Sequence, residues 1–361
     1  MTMEYTLKEI CSHFKVDTDI ESYGNGHIND TYICRTDPSF ILQRINTSVF
    51  KNPDEVMKNI TGVTAFLSQK IKQYGGDPKR ETMSVIKTDE GKSFFRTPNG
   101  DCFRMYTYVP DTVTHETAET PKIFYNAAKA FGKFQRMLNG YPADTLFETI
   151  KDFHNTCERV NQLKDAAKNN AAGRLSEVSA ELDEAKRLSK YAPVITDKIS
   201  SGEIPLRVTH NDTKLNNVLF DRKTDEGICV IDLDTVMPGS ALYDFGDALR
   251  FGASNATEDE TDLSKVWFDL DKFRAFTDGF LSETADCLTR AEIDLLPESA
   301  LIMTYECGIR FLADYLNGDT YFKVHKPHHN LDRARTQLKL AADIEQKLSD
   351  MHKIVLDYIT I

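Results

Sequence analysis

The stretch Leu206-Arg207-Val208-Thr209-His210-Asn211-Asp212-Thr213-Lys214-Leu215-Asn216-Asn217-Val218-Leu219, followed closely by Ile228-Cys229-Val230-Ile231-Asp232-Leu233-Asp234, decides how the rest of the chain is read. An Asp on a tight loop can face an acceptor hydroxyl, while an Asn one short turn later can face a metal lying between phosphates. The apolar runs at 218–220 and 228–231 predict two strands joined by a turn over 221–227. Such a hairpin returns Asp232 to the neighbourhood of Asn217. A hard oxygen ligand has only to be charged or polar, so neither residue needs an unusual environment for metal binding. Each of these Asp and Asn residues alone would be an ordinary turn residue. The ordered set on one hairpin points to chemistry.

His210, Asp212 and Asn217, with Asp232 after them, match the order and spacing of a phosphoryl-transfer loop. In that loop the first Asp orients or deprotonates the hydroxyl, and the Asn and the second Asp hold magnesium. Working outward, 361 residues are many for one core, so two lobes are expected. The balance of 56 acidic against 44 basic residues, a net charge of -12, argues against a nucleic-acid surface. The seven cysteines are odd in number and never spaced Cys-x-x-Cys, which suggests neither a disulfide framework nor a zinc site. The first residues show no signal-peptide pattern, and no apolar run approaches the ~18 residues of a membrane span. A reducing, cytoplasmic compartment is expected, with a monomer as the default.

Leu7, Ile10, Cys11 and Phe14 recur at helical spacing and predict a short leading helix, with a strand near 20–23. Next comes Tyr23-Gly24-Asn25-Gly26-His27-Ile28-Asn29-Asp30-Thr31-Tyr32. Asn25-Gly26 between strand-like runs is a hairpin signal, because both residues accept the positive φ of a tight turn. The same stretch also reads as a loop over nucleotide phosphates, where missing side chains let backbone N–H groups approach. The two readings stand level on these residues alone. Phe40-Ile41-Leu42-Gln43-Arg44-Ile45 predicts a buried strand. Val56, Ile60, Val63, Leu67 and Ile71 predict an amphipathic helix opened by Asn52-Pro53-Asp54. Further strands are expected over 82–86, 93–96 and 102–109.

The pattern is α+β: a small antiparallel-sheet lobe with one packed helix over 1–110, then a larger, mainly helical lobe over 111–361. Phe124, Ala128, Phe131, Phe134 and Leu138 mark a core helix. The polar segment 158–190, with Leu175, Val178, Leu182 and Ala185 as a thin apolar stripe, is expected to be an inserted helical hairpin. Asp244 and Asp247 are expected to cap structure rather than bind metal. Glu306, Arg310 and Asp314 lie at i, i+4 spacing and form either a salt-bridge ladder or a polar face for substrate hydroxyls. His325, His328 and His329 are expected on an exposed loop.

Taken together, these stretches resemble the aminoglycoside-phosphotransferase-like small-molecule kinases, a family with the two-lobed protein-kinase-like fold. The resemblance also takes in Met237-Pro238-Gly239-Ser240 and the segments 244–254 and 306–321, so it covers essentially the whole chain. Arg250-Phe251-Gly252-Ala253-Ser254 and Arg310-Phe311-Leu312-Ala313-Asp314-Tyr315-Leu316 are similar to members that act on N-acetylhexosamines. The resemblance therefore implies ATP-dependent phosphorylation of N-acetylglucosamine or N-acetylgalactosamine at the anomeric hydroxyl. It implies Asp212 as catalytic base and Asn217 with Asp232 as Mg2+ ligands. Gly24, Gly26 and His27 would lie over ATP, His27 also reaching the sugar. Arg310 would bond sugar hydroxyls, while Phe251 and Tyr321 pack on the ring. Tyr106 and Tyr108 fall in the segment 104–109, the hinge that would read adenine through backbone groups.

Two departures from the family pattern stand out. The strand lysine that pairs with nucleotide phosphates is absent. Gln43 occupies its place, and the period-2 rule sends Arg44 to the opposite face. Asn29 stands where a third loop glycine is expected. The rival readings are a kinase of the same fold for choline, homoserine or an aminoglycoside, and a nucleotide-binding pseudokinase.

Overall fold

The computed structural model describes residues 5–24 and 28–359. The chain divides into two compact units. The first takes the residues up to Thr114 together with Met137–Lys151 and Asn217–Pro238, and the second takes His115–Arg136, Asp152–Asn216 and Gly239–Ile361. An antiparallel sheet dominates the amino-terminal region and helices dominate the carboxy-terminal region, as the α+β pattern requires.

In the first unit, β1 (Ile20–Ser22), β2 (Asp30–Cys34), β3 (Phe40–Ile45), β4 (Val85–Ile86), β5 (Phe95–Arg96) and β6 (Cys102–Thr107) form one sheet. Its order is β1-β2-β3-β6-β4, with β5 also on β6, and every pairing is antiparallel. Alternation buries Leu42, Phe103 and Met105 on one face, against Ile10 and Cys11 of helix α1 (Leu7–Ser12) and Phe14 just beyond it. Helix α2 (Pro53–Gln73) begins where sequence predicts: Asn52 accepts from the Glu55 N–H, Pro53 occupies the first turn, and Val56, Ile60, Val63, Leu67 and Ile71 are all buried. The 82–86 run is shorter than expected. Asp77 and Pro78 start a one-turn helix, α3 (Pro78–Glu81), and the ladder holds only Val85 and Ile86. The last strand stops at Thr107, and the Thr107 and Tyr108 N–H groups turn to the Ser84 and Ser39 carbonyls. A strand the sequence reading lacked, β7 (Thr112–Val113), then pairs with β9.

Strand β8 (Arg207–Thr209) leads into the catalytic-loop stretch. Strands β9 (Val218–Asp221) and β10 (Gly227–Val230) are the expected hairpin, with Val218 opposite Val230. The second unit contains α4 (Pro121–Leu138) over most of its length, α5 (Thr156–Asn169), α6 (Ser179–Leu188), α7 (Pro193–Ser200), α8 (Ala241–Gly252), α9 (Leu270–Thr284), α10 (Arg290–Asp294), α11 (Leu296–Asn317) and α12 (His329–Ile359). Phe245, Phe273, Phe276 and Phe280 interlock edge to face or stacked around Leu301 and Ile344.

The polar 158–190 segment holds the helices α5 and α6, and both pack on α11. Leu163, Val178, Ala185 and Leu188 pack on Tyr305, Ile309 and Leu312 of α11, and the Tyr305 hydroxyl donates to the Ala185 carbonyl at 2.8 Å. The segment is a backing plate for α11. All seven cysteines are free thiols, and among the described residues no helix is long and apolar enough to cross a membrane.

Candidate active site

In the second unit, the loop after β8 is held from below by a buried carboxylate. Asp244 accepts the His210 N–H (3.0 Å), the Asn211 N–H (2.8 Å) and the Gln135 amide (2.6 Å), and its backbone carbonyl takes the Thr213 hydroxyl (2.6 Å). Burial pushes its carboxyl upward despite these donors. Asp247 accepts the Thr213 N–H at 3.2 Å and pairs with Arg250 at 3.0 Å. Burial opposes its charge, but Arg250, joined by His154 and Lys214, holds it below the usual carboxylate range. Both residues therefore serve structure, as expected from the sequence.

His210 lies edge-on to Phe131 and Phe134, and its Nδ1 accepts the Asp212 N–H at 3.2 Å. Asn211 has φ 64°, a left-handed backbone that Asn tolerates, and it sits immediately before Asp212. Lys214 Nζ lies 2.8 Å from Asp212 Oδ1, and the carboxylate raises the lysine above its ordinary range. The sequence reading passed over Lys214. Its signal was the two-residue offset from Asp212, which places both side chains on one side of a tight loop.

In the first unit, the Ile231 N–H donates to the Asn217 carbonyl at 2.9 Å, so the backbones of the two expected metal-binding segments are tied together. Asp232 also has a left-handed backbone, φ 59° and ψ 61°, and a short 3-10 turn (Leu233–Thr235) follows at once. Among the described residues no group of three or more His, Cys, Asp or Glu side chains is arranged as a metal cluster. Asn217 and Asp232 offer two hard oxygen ligands, the sparse protein donor set that suits a divalent ion completed by phosphate and water.

Beside this segment lies a buried polar chain that the sequence reading did not assemble. Asp234 pairs with Arg104 on one side and accepts the Asn29 amide at 2.6 Å on the other. Arg104 faces Gln43 across the β3–β6 ladder, and Gln43 Oε1 accepts from its Nε at 3.1 Å and its Nη2 at 2.9 Å. Gln43 in turn donates to Thr31 Oγ1 at 3.1 Å. Burial works against the Arg104 charge, but the acidic groups around it, Asp234 foremost and then Tyr106 and Asp232, together hold the guanidinium above the ordinary arginine range. Arg44 points the other way, exposed, to Asp101 at 2.7 Å. Gln43 and Asn29, the two departures from the kinase pattern, belong to one network.

Of the expected nucleotide residues, Gly26 and His27 lie outside the described residues. Gly24 has φ +73° and open space around its missing Cβ, so it is there for its backbone conformation. Tyr106 is buried on β6, with no hydrogen-bond partner for its hydroxyl among the described residues and its ring under Arg104 at 5.3 Å. Burial pushes that phenol well up. The Tyr108 ring meets Tyr23 edge-on at 6.1 Å.

On α11, in the second unit, the i, i+4 trio makes no salt-bridge ladder. Glu306 takes His154 Nδ1 at 2.8 Å and the Thr156 hydroxyl at 2.6 Å, and His154 Nε2 lies 3.4 Å from the Asn211 carbonyl. Asp314 accepts the N–H groups of Thr320 (3.0 Å), Tyr321 (2.8 Å) and Phe322 (2.9 Å), fixing the loop that carries Tyr321. Arg310 lies between the rings of Phe153 (5.4 Å) and Phe322 (5.5 Å), and among the described residues its guanidinium has no hydrogen-bond acceptor. Burial and then the Arg310 charge depress Arg159, whose buried Nε is also unpartnered. Tyr321 is exposed and edge-on to Phe322 at 4.8 Å. Phe251 ends α8, half open to solvent, against the Arg250 guanidinium at 5.7 Å. Arg310 and Tyr321 thus share Phe322 as a neighbour, while Phe251 belongs to a separate contact.

The second unit thus holds the His210-Asn211-Asp212 loop and an aromatic-flanked arginine, and the first holds the Asn217 and Asp232 segments, tied by their backbones. Similar solved structures share the fold of the chain. The microcompartment-associated aminopropanol kinase is 16% identical, with 96% of this chain and 97% of that chain covered and a TM-score of 0.64. An aminoglycoside phosphotransferase from Alicyclobacillus acidocaldarius is 11% identical, with 99% and 98% covered and a TM-score of 0.63. Amicoumacin kinase hAmiN, solved with AMP-PNP, Ca2+ and Ami, is 13% identical, with 94% and 88% covered and a TM-score of 0.51. The sequence match is to the description "Phosphotransferase enzyme family" (APH) over residues 19–276, and the chain belongs to that family. It is a small-molecule kinase whose acceptor group is an alcohol.

Proposed function

We propose that this kinase transfers the γ-phosphoryl group of ATP to the anomeric hydroxyl of an N-acetylhexosamine, N-acetylglucosamine or N-acetylgalactosamine, as an N-acetylhexosamine 1-kinase does. The observation that carries the reading is Arg310, whose donors have no acceptor among the described residues and whose faces lie against Phe153 and Phe322. Such a group presents a planar fork of N–H donors to hydroxyl or amide oxygens. It repels an amine, and Arg159 beside it adds to that repulsion. The names of the aminopropanol and aminoglycoside enzymes imply amine-bearing acceptors. A quaternary-ammonium cage needs open aromatic faces, whereas here the guanidinium already covers them. Asp314 holds Tyr321 at hand to pack on a sugar ring.

Asn217 and Asp232 would hold Mg2+, which when bound supplies charge neutralisation at the phosphates; amicoumacin kinase, of the same fold, was solved with a nucleotide analogue and Ca2+. The anomeric oxygen attacks the γ-phosphorus, the bond to the β–γ bridging oxygen breaks, and ADP leaves. The hydroxyl proton passes to Asp212 late in a loose transition state, so positioning supplies most of the rate. Lys214, paired with Asp212, keeps that carboxylate oriented.

The test is an ADP-release assay comparing the two N-acetylhexosamines, their anomeric methyl glycosides, aminopropanol, choline and homoserine. Turnover with the free sugars and none with the glycosides is expected. Turnover with the amines alone would sink the sugar reading, and ATP binding without transfer to any acceptor would favour the pseudokinase.

A further inference from the structure

We infer that Arg104 is the positioning residue that replaces the missing strand lysine, acting through Asp234 on the Asp232 turn and through Asn29 on the nucleotide loop. The inference rests on the ATP-dependent kinase reading above.

Arg104 reaches only the groups that lie directly against it. Its side chain is 1% exposed. Nε and Nη2 are engaged by Gln43, and Nη1 by Asp234 with the Met57 sulfur 4.0 Å away. A guanidinium so enclosed cannot also bind a phosphate without leaving these partners. Its charge is matched by Asp234, so the pair adds no net positive charge for phosphates. What it can do is hold. One oxygen of Asp234 takes Arg104 and the other takes Asn29, and Asp234 lies two residues after Asp232 on the 3-10 turn. A left-handed Asp is a costly conformation that its surroundings must impose, and the clamp at Asp234 is such a constraint. On the loop side, Asn29 Oδ1 accepts the Asn46 N–H at 2.9 Å, and the Asn46 amide donates to the Ile28 carbonyl at 3.2 Å. Strand β6, the end of β3, the loop at 28–29 and the 232–235 turn are therefore tied to one guanidinium. A lysine has one point charge and no planar fork, and could not serve both Gln43 and Asp234 in this way.

A clamp of this kind couples nucleotide and metal. Removing it loosens the Asp232 turn and the loop together, and outer-shell partners of metal ligands typically matter by 10- to 100-fold in metal affinity. The experiment titrates ADP in the absence and presence of Mn2+, and Mn2+ in the presence of ADP, by calorimetry on the wild type, Arg104→Met, Arg104→Lys and the double variant Arg104→Met/Asp234→Leu. In Arg104→Met we expect roughly 10-fold weaker Mn2+ binding to the ADP complex, a smaller loss for ADP alone, an unchanged acceptor KM, and no rescue in Arg104→Lys. If the single variant does not fold because Asp234 is left buried and unpaired, the double variant, which removes both charges, carries the same expectation. Wild-type Mn2+ affinity in a folded Arg104→Met or double variant overturns the inference. Equal loss of ADP affinity with and without Mn2+ also overturns it, because that is the behaviour of a direct phosphate contact. A wild type that binds neither ADP nor Mn2+ would instead remove the kinase reading, and the inference with it.

Discussion

Arg104 in the first unit is buried and Arg310 in the second is half-buried, and the protein treats them in opposite ways. Arg104 is enclosed by Asp234, Gln43 and Met57. Arg310 is set between two phenyl rings with no acceptor among the described residues. A saturated buried charge belongs to the scaffold, because its partners already offset its desolvation. A half-exposed guanidinium with no acceptor of its own is open to a ligand, whose oxygens can take the place of water at its donors. Residue type alone would not have separated the two; the inventory of partners does.

The comparison can be broken at several points. The largest effect is expected outside the pair, at Asp212→Asn, which should lower kcat by roughly 10³-fold while ADP affinity measured by calorimetry stays within about two-fold. Next is Arg310→Met, which should lower kcat/KM for the acceptor by roughly 10²-fold, the worth of charged hydrogen bonds, with the KM for ATP unmoved. A shift in the ATP KM would show that Arg310 is no acceptor-side residue. Asp314→Asn should raise the acceptor KM about 10-fold and speed amide hydrogen exchange at 320–322, because three N–H groups lose a charged acceptor. The smallest effect belongs to Arg44→Gln on the exposed face of β3. Thermal unfolding should report a change within about 0.5 kcal/mol, with kinetics untouched.

Much of this was legible in the sequence. The apolar period of α2 and its Asn52-Pro53 start read directly, and so did the 218–230 hairpin, because local chemistry determines both. The alternation along Phe40–Ile45 correctly separated Gln43 from Arg44. What escaped depends on pairing between distant segments. No spacing rule links Asn29, Arg104 and Asp234, which come from just before β2, from β6 and from the turn after β10; the β3–β6 register accounts only for Gln43 joining them. The i, i+4 spacing of Glu306, Arg310 and Asp314 suggested mutual pairing, but each turned to a different partner. Strand β7 was missed because two residues carry no period. Phe153 and Phe322 read as ordinary apolar residues until Arg310 was found between them.

The loop over 320–322 hangs from one carboxylate on a rigid helix, and it does so by its backbone N–H groups, which every residue except proline supplies. Its shape thus leans on backbone donors, with the Thr320 hydroxyl adding a 3.4 Å bond to the same carboxylate and the Phe322 ring packing on Phe311. Substitutions at Tyr321 can retune which acceptor is bound without dismantling the loop. A lineage carrying Asp314 could explore new substrates there in single mutational steps while its fold stayed intact.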